Sequence, residues 1–174
     1  MGYFVQLKGP YTSLDRVDKT LHLQKTTDSS GDSCIPTVER GTILAIASDA
    51  NHPDGVFKIA TGSDSPIYVA LMGNDDLQAG MAGLPDTPKV TGEALYEGEF
   101  ETDNYTEGET YQVGDKLYVK DGVLTKSGSE SDTVVGVVTM AVHTIYQDGV
   151  DAANPVAVFN QGAYGDVLRF TTTR

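Results

Sequence analysis

The stretch "VGDKLYVKDGVLT" (residues 113–125) constrains the fold of this chain more than any other segment. Apolar and polar residues alternate up to Asp121-Gly122 and alternate again after it, which is the pattern of a β-hairpin with a two-residue turn. The run "VVGVVTMAV" (134–142) follows, and its β-branched residues are typical of a buried strand. The segment therefore predicts a hairpin and a third strand inside a core.

Short apolar runs separated by turn residues continue upstream of this hairpin. The 19 Gly and seven Pro of the 174 residues also favour many short strands and turns over long helices. Three further strands are predicted in "TILAIAS" (42–48), "VFKIA" (56–60) and "IYVALM" (67–72). We predict an all-β fold, a small β-sandwich or barrel-like domain of short strands.

The flanking segments are assigned to the same domain. Residues 1–40 are interpreted as an extended N-terminal arm with the first strands, in "YFVQL" and "KTLHLQK". Residues 41–142 form the predicted β core domain, and residues 143–174 add strands around "VAVF" and in "DVLRFTTT" that close it. Four Gly and two Pro predict a long loop over 73–92, and "EALYEGEFETD" (93–103) predicts one strand bent at its glycine.

One internal similarity bears on the architecture. Residues 54–56 (Asp-Gly-Val) lie 67 positions before residues 121–123, which are also Asp-Gly-Val, and the same offset aligns "IYVALM" with "VVGVVT". Two interpretations stay open. The core contains two similar strand-turn-strand units, or the match reflects only how common Asp-Gly turns are.

The charge of the chain excludes some classes of partner. Twelve Lys and Arg stand against 25 Asp and Glu, a net charge of −13, which repels nucleic-acid phosphates and anionic lipids. No apolar run reaches the ~20 residues that span a bilayer, and the N-terminus does not have the pattern of a secretory signal. We expect no nucleic-acid or membrane partner and synthesis in the cytoplasm.

The residues that usually carry chemistry do not form known motifs. Cys34 is the single cysteine, and His22, His52 and His143 are far apart without metal-ligand spacing. Phosphate-binding glycine motifs and nucleophile elbows do not occur in the sequence. The acids at 97, 99 and 101 are interpreted as a solvated strand face. We therefore expect no enzyme activity, no catalytic residue, no cofactor and no metal site.

A resemblance adds to this interpretation. The segment "YQVGDKLYVKDGVLTKSGSESDTVVGVVTMAV" (111–142), preceded by "GTILAIASDANHPDGVFKIA" and "IYVALM", resembles the head decoration, or capsid cement, proteins of tailed bacteriophages, the group of the lambda head decoration protein. "FETDNY" (100–105) also resembles virion structural proteins of large tailed phages. The resemblance covers about residues 41–142.

This resemblance implies a non-enzymatic virion protein on the outer surface of the phage head, made in the cytoplasm of the host bacterium. Its implied partners are the major capsid protein, whose assembled shell it stabilises, and copies of itself, with a trimer favoured. The arm could add a strand to a capsid sheet edge, or it could be an edge strand of its own domain. The expected capsid-contact residues lie in the arm and in the long loop: Tyr3, Phe4, Val5, Leu7, Leu77, Met81 and Leu84.

Two alternatives stay open. Another virion component, such as a tail protein or a head-fibre base, would share the β fold and need no catalytic residue. A glycan-binding or glycoside-processing β domain would instead use the acids of "YEGEFETDNY" together with Tyr96 and Tyr105.

Overall fold

The computed structural model describes residues 4–8, 18–65, 67–71, 88–95, 98–146 and 163–172, and the statements below concern these residues. They form thirteen strands and no helix, so no described helix could cross a membrane. This confirms the all-β prediction. The strands are β1 (Phe4–Lys8), β2 (Asp18–His22), β3 (Thr26–Thr27), β4 (Ser33–Cys34), β5 (Ile43–Ala47), β6 (Val56–Ile59), β7 (Ile67–Ala70), β8 (Lys89–Ala94), β9 (Glu99–Thr102), β10 (Lys116–Lys120), β11 (Val123–Thr125), β12 (Gly136–Tyr146) and β13 (Ala163–Thr172).

Five strands form the first module, in the order β2-β8-β7-β5-β6. This sheet curls, because the residues that follow the edge strand β2 reach the opposite edge strand β6. Leu23 forms a parallel bridge with Phe57, and the Gln24 N–H donates to the Phe57 carbonyl at 2.7 Å. The first module is therefore barrel-like, and β3 and β4 pair as a separate small hairpin.

Six strands form the second module, in the order β1-β9-β13-β12-β10-β11. The chain after β9 returns to the far edge strand in the same way as in the first module. Tyr105 forms a parallel bridge with Leu124, and the Thr106 N–H donates to the Leu124 carbonyl at 2.8 Å. The second module thus curls as the first one does, with β1 added outside β9.

The two modules share one strand order. The order β2-β8-β7-β5-β6 corresponds strand by strand to β9-β13-β12-β10-β11. Residues 54–56 and 121–123 lie where the β5–β6 and β10–β11 connections enter their second strands. Both interpretations of the 67-residue offset stay open, and the boundaries at 1–40, 41–142 and 143–174 stay predictions.

Two hydrophobic clusters hold this arrangement. One lies inside the first module, where the rings of Phe57 and Tyr68 pack with centroids 5.3 Å apart. The other lies between the modules and contains Phe100 and Phe170 of the second module, with centroids 5.6 Å apart. Strand β5 contributes to both clusters. Leu44 packs in the first cluster, and Ile43 and Ala45, on the opposite face of the strand, pack in the second. Burial on both faces explains why "TILAIAS" is continuously apolar rather than alternating.

The predicted hairpin is confirmed, with β10 and β11 paired from Tyr118 to Thr125. Its turn residues Asp121 and Gly122 have φ angles of 51° and 78°. Positive φ at both positions is the geometry of a type I′ turn, which matches the right-handed twist of the flanking strands. A side chain at Gly122 would also place its Cβ 2.9 Å from Cγ2 of Ile59, so the turn packs directly against the first module.

One strand prediction is wrong. The segment 93–103 is not a single bent strand, because β8 ends at Ala94 and β9 begins at Glu99 in the other sheet. Ala94 packs in the first module's core and Phe100 in the cluster between the modules, so burial in two different cores separates the strands. The predicted loop also ends earlier than expected, since β8 begins at Lys89. The remainder of that loop, 73–87, and the predicted strand "VAVF" lie outside the described residues.

Candidate functional site

The predicted contact arm forms the edge of its own domain. Strand β1 pairs antiparallel with β9, with Val5 opposite Glu101 and Gln6 opposite Phe100, and a bulge precedes Lys8. Of the two interpretations of the arm, the structure thus shows the edge strand. Leu7 is exposed over 38% of its surface. Four of the expected contact residues lie outside the described residues: Tyr3, Leu77, Met81 and Leu84. The capsid contact itself stays a prediction.

An ion pair between a buried carboxylate and a partly exposed guanidinium lies beside this edge, on strands β9 and β13. Arg169 donates to Oε1 of Glu101 from Nε at 2.9 Å and from Nη2 at 2.6 Å, and Nε2 of His143 lies 3.3 Å from the same oxygen. Glu101 is only 5% exposed. The acids of this strand are therefore not all on a solvated face, because Glu101 is buried and Glu99 accepts a hydrogen bond from Thr139 at 3.1 Å.

A second carboxylate, that of Glu109, is hydrogen-bonded to residues at the end of β11. Glu109 accepts hydrogen bonds from the hydroxyls of Tyr111, Thr125 and Ser127 and from the Lys126 N–H, at 2.5–3.1 Å. Burial by itself raises the pKa of Glu109, but these hydrogen bonds outweigh it and lower the pKa to about 2. In the opposite sense, burial and the adjacent carboxylate raise the pKa of Tyr111. This carboxylate holds backbone and hydroxyl donors in place.

A polar cleft of about 430 Å³ marks the junction of the two modules. Asn104 lies in it and donates from Nδ2 to the carbonyls of Gly41 and Gly122, both at 2.8 Å. The backbone adds two crossings, from the Ile43 N–H to the Gly122 carbonyl and from the Gly122 N–H to the Ala60 carbonyl, at 2.9 Å each. The type I′ turn and Asn104 therefore couple the two sheets.

Two histidines that are distant in sequence meet in a smaller groove of about 150 Å³ along β2. The rings of His22 and His52 have centroids 4.5 Å apart, and Nδ1 of His52 lies 2.8 Å from Oδ1 of Asp49. This hydrogen bond lowers the pKa of Asp49. Sequence spacing did not indicate this pair, because the residues approach only when β2 and the 49–55 loop pack together. Among the described residues no three His, Cys, Asp or Glu side chains form a group that could hold a metal ion.

Two exposed apolar side chains lie at one end of the β10–β12 pair. Val113 is 70% exposed, at the tip of a turn in which the Asp115 N–H donates to the Gln112 carbonyl at 3.0 Å. The Gly114 N–H donates to the Val138 carbonyl at 2.9 Å, which fixes this turn to β12 close to Met140. Met140 is 38% exposed at an irregularity of β12. The arrangement presents apolar groups on a rigid support, as a contact surface requires.

The residues proposed for a glycan site are only partly brought together. Tyr96 and the acid at 97 lie outside the described residues. Tyr105 packs edge-on against Tyr111, with centroids 5.5 Å apart, and burial raises the pKa of Tyr105. The Tyr105 ring therefore packs where the chain after β9 pairs with β11, and Glu101 forms an ion pair with Arg169.

Comparisons with known proteins give one structural likeness. No family model and no curated protein matches this chain. Among solved structures, the chain is similar to the head fibre gp8.5 N base of bacteriophage phi29, with 14% identity over 91% of this chain and 94% of that chain. The TM-score is 0.47. A likeness at this level assigns no function to the chain.

Proposed function

We propose that this chain is a non-enzymatic virion structural protein that binds the outer surface of an assembled phage head and stabilises the shell. The proposal rests on the sequence resemblance of residues 41–142 to head decoration proteins. The structural observation that supports it is the exposed Val113, on a turn that is hydrogen-bonded to β12 two residues from the exposed Met140. A shell-binding protein needs many shallow contacts repeated by symmetry, because modest single contacts are multiplied on a lattice.

Rigid support matters for such a contact. The side chain of Asp115 accepts a hydrogen bond from the Gln112 N–H at 2.8 Å, and its own N–H returns one to the Gln112 carbonyl at 3.0 Å. The turn that carries Val113 is thus held from both ends and loses little conformational freedom on binding. Leu7 on the edge strand and the expected residues of the 73–92 loop are the other proposed capsid contacts.

The direct test is reconstitution on expanded phage shells that lack the protein. Particles are mixed with purified protein, sedimented, analysed for bound copies and then heated. We expect binding in proportion to the lattice sites and a higher disruption temperature of the shell. The variant Val113→Asp should bind at least tenfold more weakly, whereas Ser131→Asp, which introduces the same charge at another exposed turn, should bind as the unmodified protein does.

The outcomes separate the candidate roles. No binding at micromolar protein would remove the shell-binding proposal. Attachment of only a few copies at one vertex or at fibre positions would favour a head-fibre base or tail component instead. Equal binding by both variants would place the contact surface away from Val113.

A further inference from the structure

In the two modules, two strand edges stay open among the described residues. The edge strand β6 is covered by Leu23 and Gln24, and the edge strand β11 by Tyr105 and Thr106. By contrast, β1 pairs only with β9, and β2 pairs only with β8 along its length, among the strands that the structure describes. Open edges are templates for pairing with another strand.

The hydrogen-bonding direction of β2 follows from its partners. The Leu23 N–H donates to the Pro88 carbonyl at 3.0 Å, in the register that pairs Leu21 with Val90. Backbone groups alternate between the two sides of a strand, so Thr20 directs its N–H and C=O away from β8. The Gln24 N–H, four residues later, indeed points to β6. The outer edge of β2 therefore presents the backbone of Thr20.

The same reasoning applies to β1. The Thr172 N–H donates to the Gly98 carbonyl at 3.0 Å, so even-numbered residues of β9 bond to β13 and Glu101 bonds toward β1. Val5 is opposite Glu101, and its neighbour Gln6 consequently directs its backbone groups outward. The two open edges thus each offer a residue with outward N–H and C=O groups.

The second module already shows how such an edge is completed. β9 holds the place in the second module that β2 holds in the first, and β9 receives β1 as an antiparallel neighbour. The edge of β2 is the corresponding acceptor in the first module. The groove of about 150 Å³ that Thr20 and Leu21 line with the 51–55 loop provides space for a side chain beside that edge.

Charge selects a second copy as the occupant. Residues 1–25, which contain both β1 and β2, carry four Lys or Arg and two Asp or Glu, a charge of +2. The remaining residues carry −15, because the whole chain is at −13. Contact through the N-terminal segments keeps the acidic parts of two copies apart, and antiparallel pairing of β1 with β2 brings the oppositely charged Lys8 and Asp18 to the same end of the contact.

We propose that the outer edge of β1 in one copy pairs antiparallel with the outer edge of β2 in a second copy, with Gln6 opposite Thr20. The sheet of one molecule then continues into the first module of the next. Because the two surfaces differ, the contact is heterologous and generates a ring when its rotation closes. It involves only copies of this chain, so its test needs no shell and its result is separate from that of shell binding.

Cysteine cross-linking tests the register directly. Gln6→Cys and Thr20→Cys are made in separate chains, each with Cys34→Ser, and the two proteins are mixed in a thiol–disulfide buffer. Directly opposed residues of an antiparallel hydrogen-bonded pair have Cα atoms about 5.5 Å apart, within reach of a disulfide. We expect a covalent dimer joining the two introduced thiols. Equal cross-linking of Gln6→Cys with Lys120→Cys, an exposed residue of β10, would overturn the proposal.

Sedimentation velocity of the full chain gives an independent test. Thr20→Pro removes the outward N–H and retains the backbone bonds to β8, although it also removes the 2.8 Å hydrogen bond between the hydroxyls of Thr20 and Thr91, as Thr20→Val does. It should convert the oligomer to monomer while the circular dichroism spectrum is unchanged. Thr20→Val retains the N–H and should retain the oligomer. A monomeric unmodified protein at every concentration, or an oligomer that a folded Thr20→Pro variant preserves, would overturn the proposal.

Discussion

Asn104 donates a 2.8 Å hydrogen bond from Nδ2 to the carbonyl of Gly122, and through its second amide hydrogen it also holds Gly41. Asn104 follows β9 of the second module, whereas Gly41 immediately precedes the strand region of the first. A single side-chain amide therefore connects the turn of one module to the start of β5 in the other. Because the Asn104 hydrogen bonds join the two modules, we expect the modules to unfold in one transition.

Asn104→Ala should lower the free energy of unfolding by about 2 kcal/mol, because two partly buried carbonyls each lose a hydrogen bond, although Gly122 keeps the one from the Ile43 N–H. Asn104→Asp should lower it further, since a carboxylate would face both carbonyl oxygens. Chemical denaturation monitored by circular dichroism measures both changes. The control is Asn51→Ala in an exposed turn, where we expect a change within about 0.5 kcal/mol. Equal effects at both positions would contradict a linking role for Asn104.

Gly92 makes room for an aromatic ring in the first module. A Cβ at this position would lie 2.8 Å from Cζ of Phe57 and 3.2 Å from Cβ of Tyr68. We expect Gly92→Ala to destabilise the protein by about 1–3 kcal/mol through overpacking. The double variant Gly92→Ala with Phe57→Leu should lose less stability than the sum of the single changes. Strict additivity in thermal unfolding would show that the ring is not the obstacle.

The low pKa of Glu109 predicts a specific dependence of stability on pH. Its pKa falls from 4.5 to about 2 on folding, so the folded state favours the ionised form. This contribution is fully present above pH 4.5 and is lost as the pH falls through about 2; at neutral pH we expect it to be about 1–3 kcal/mol.

Unfolding of the unmodified protein and of Glu109→Gln between pH 7 and pH 2 tests this expectation. The difference in unfolding free energy between the two should be largest at neutral pH and shrink through the acid range, as the carboxyl group becomes protonated in both states. A difference that stays constant with pH would mean that the variant acts through packing and not through the charge of Glu109.

The ion pair of Glu101 and Arg169 should respond as a pair whose carboxylate is buried. Arg169→Met leaves Glu101 without its main partner and should cost about 3 kcal/mol, although His143 still lies near the carboxylate. Replacing both members, with Glu101→Leu and Arg169→Met, should restore part of that loss. A double-mutant cycle from denaturant unfolding measures the coupling.

The more exposed pair of Lys58 and Asp64 supplies the comparison. Its atoms are 2.7 Å apart, but the side chains are 33% and 17% exposed, against 28% and 6% for Arg169 and Glu101. Lys58→Met should therefore cost at most about 1 kcal/mol, because solvent screens this interaction. If Lys58→Met and Arg169→Met lowered the free energy of unfolding by similar amounts, burial of the carboxylate would not determine the strength of these ion pairs.

Local sequence determined the elements whose geometry depends only on neighbouring residues. The turn at Asp121 and Gly122 was predictable, because a two-residue hairpin needs positive φ at both positions and Asp-Gly accepts it. Alternation and β-branched runs likewise predicted β5, β6, β7, β10, β11 and β12 close to their observed bounds. These signals are short-range, so they needed no knowledge of which strands pair.

Tertiary structure alone decided how those strands combine and which side chains meet. The segment 93–103 divides between two sheets because its apolar residues enter two different cores, and no periodicity within the segment specifies this. Glu101 becomes buried only when β13 brings Arg169, 68 positions later, to its side. His22 and His52 meet for the same reason. Pairing between distant strands depends on the packing energy of the whole sheet, which residue types in a single segment do not contain.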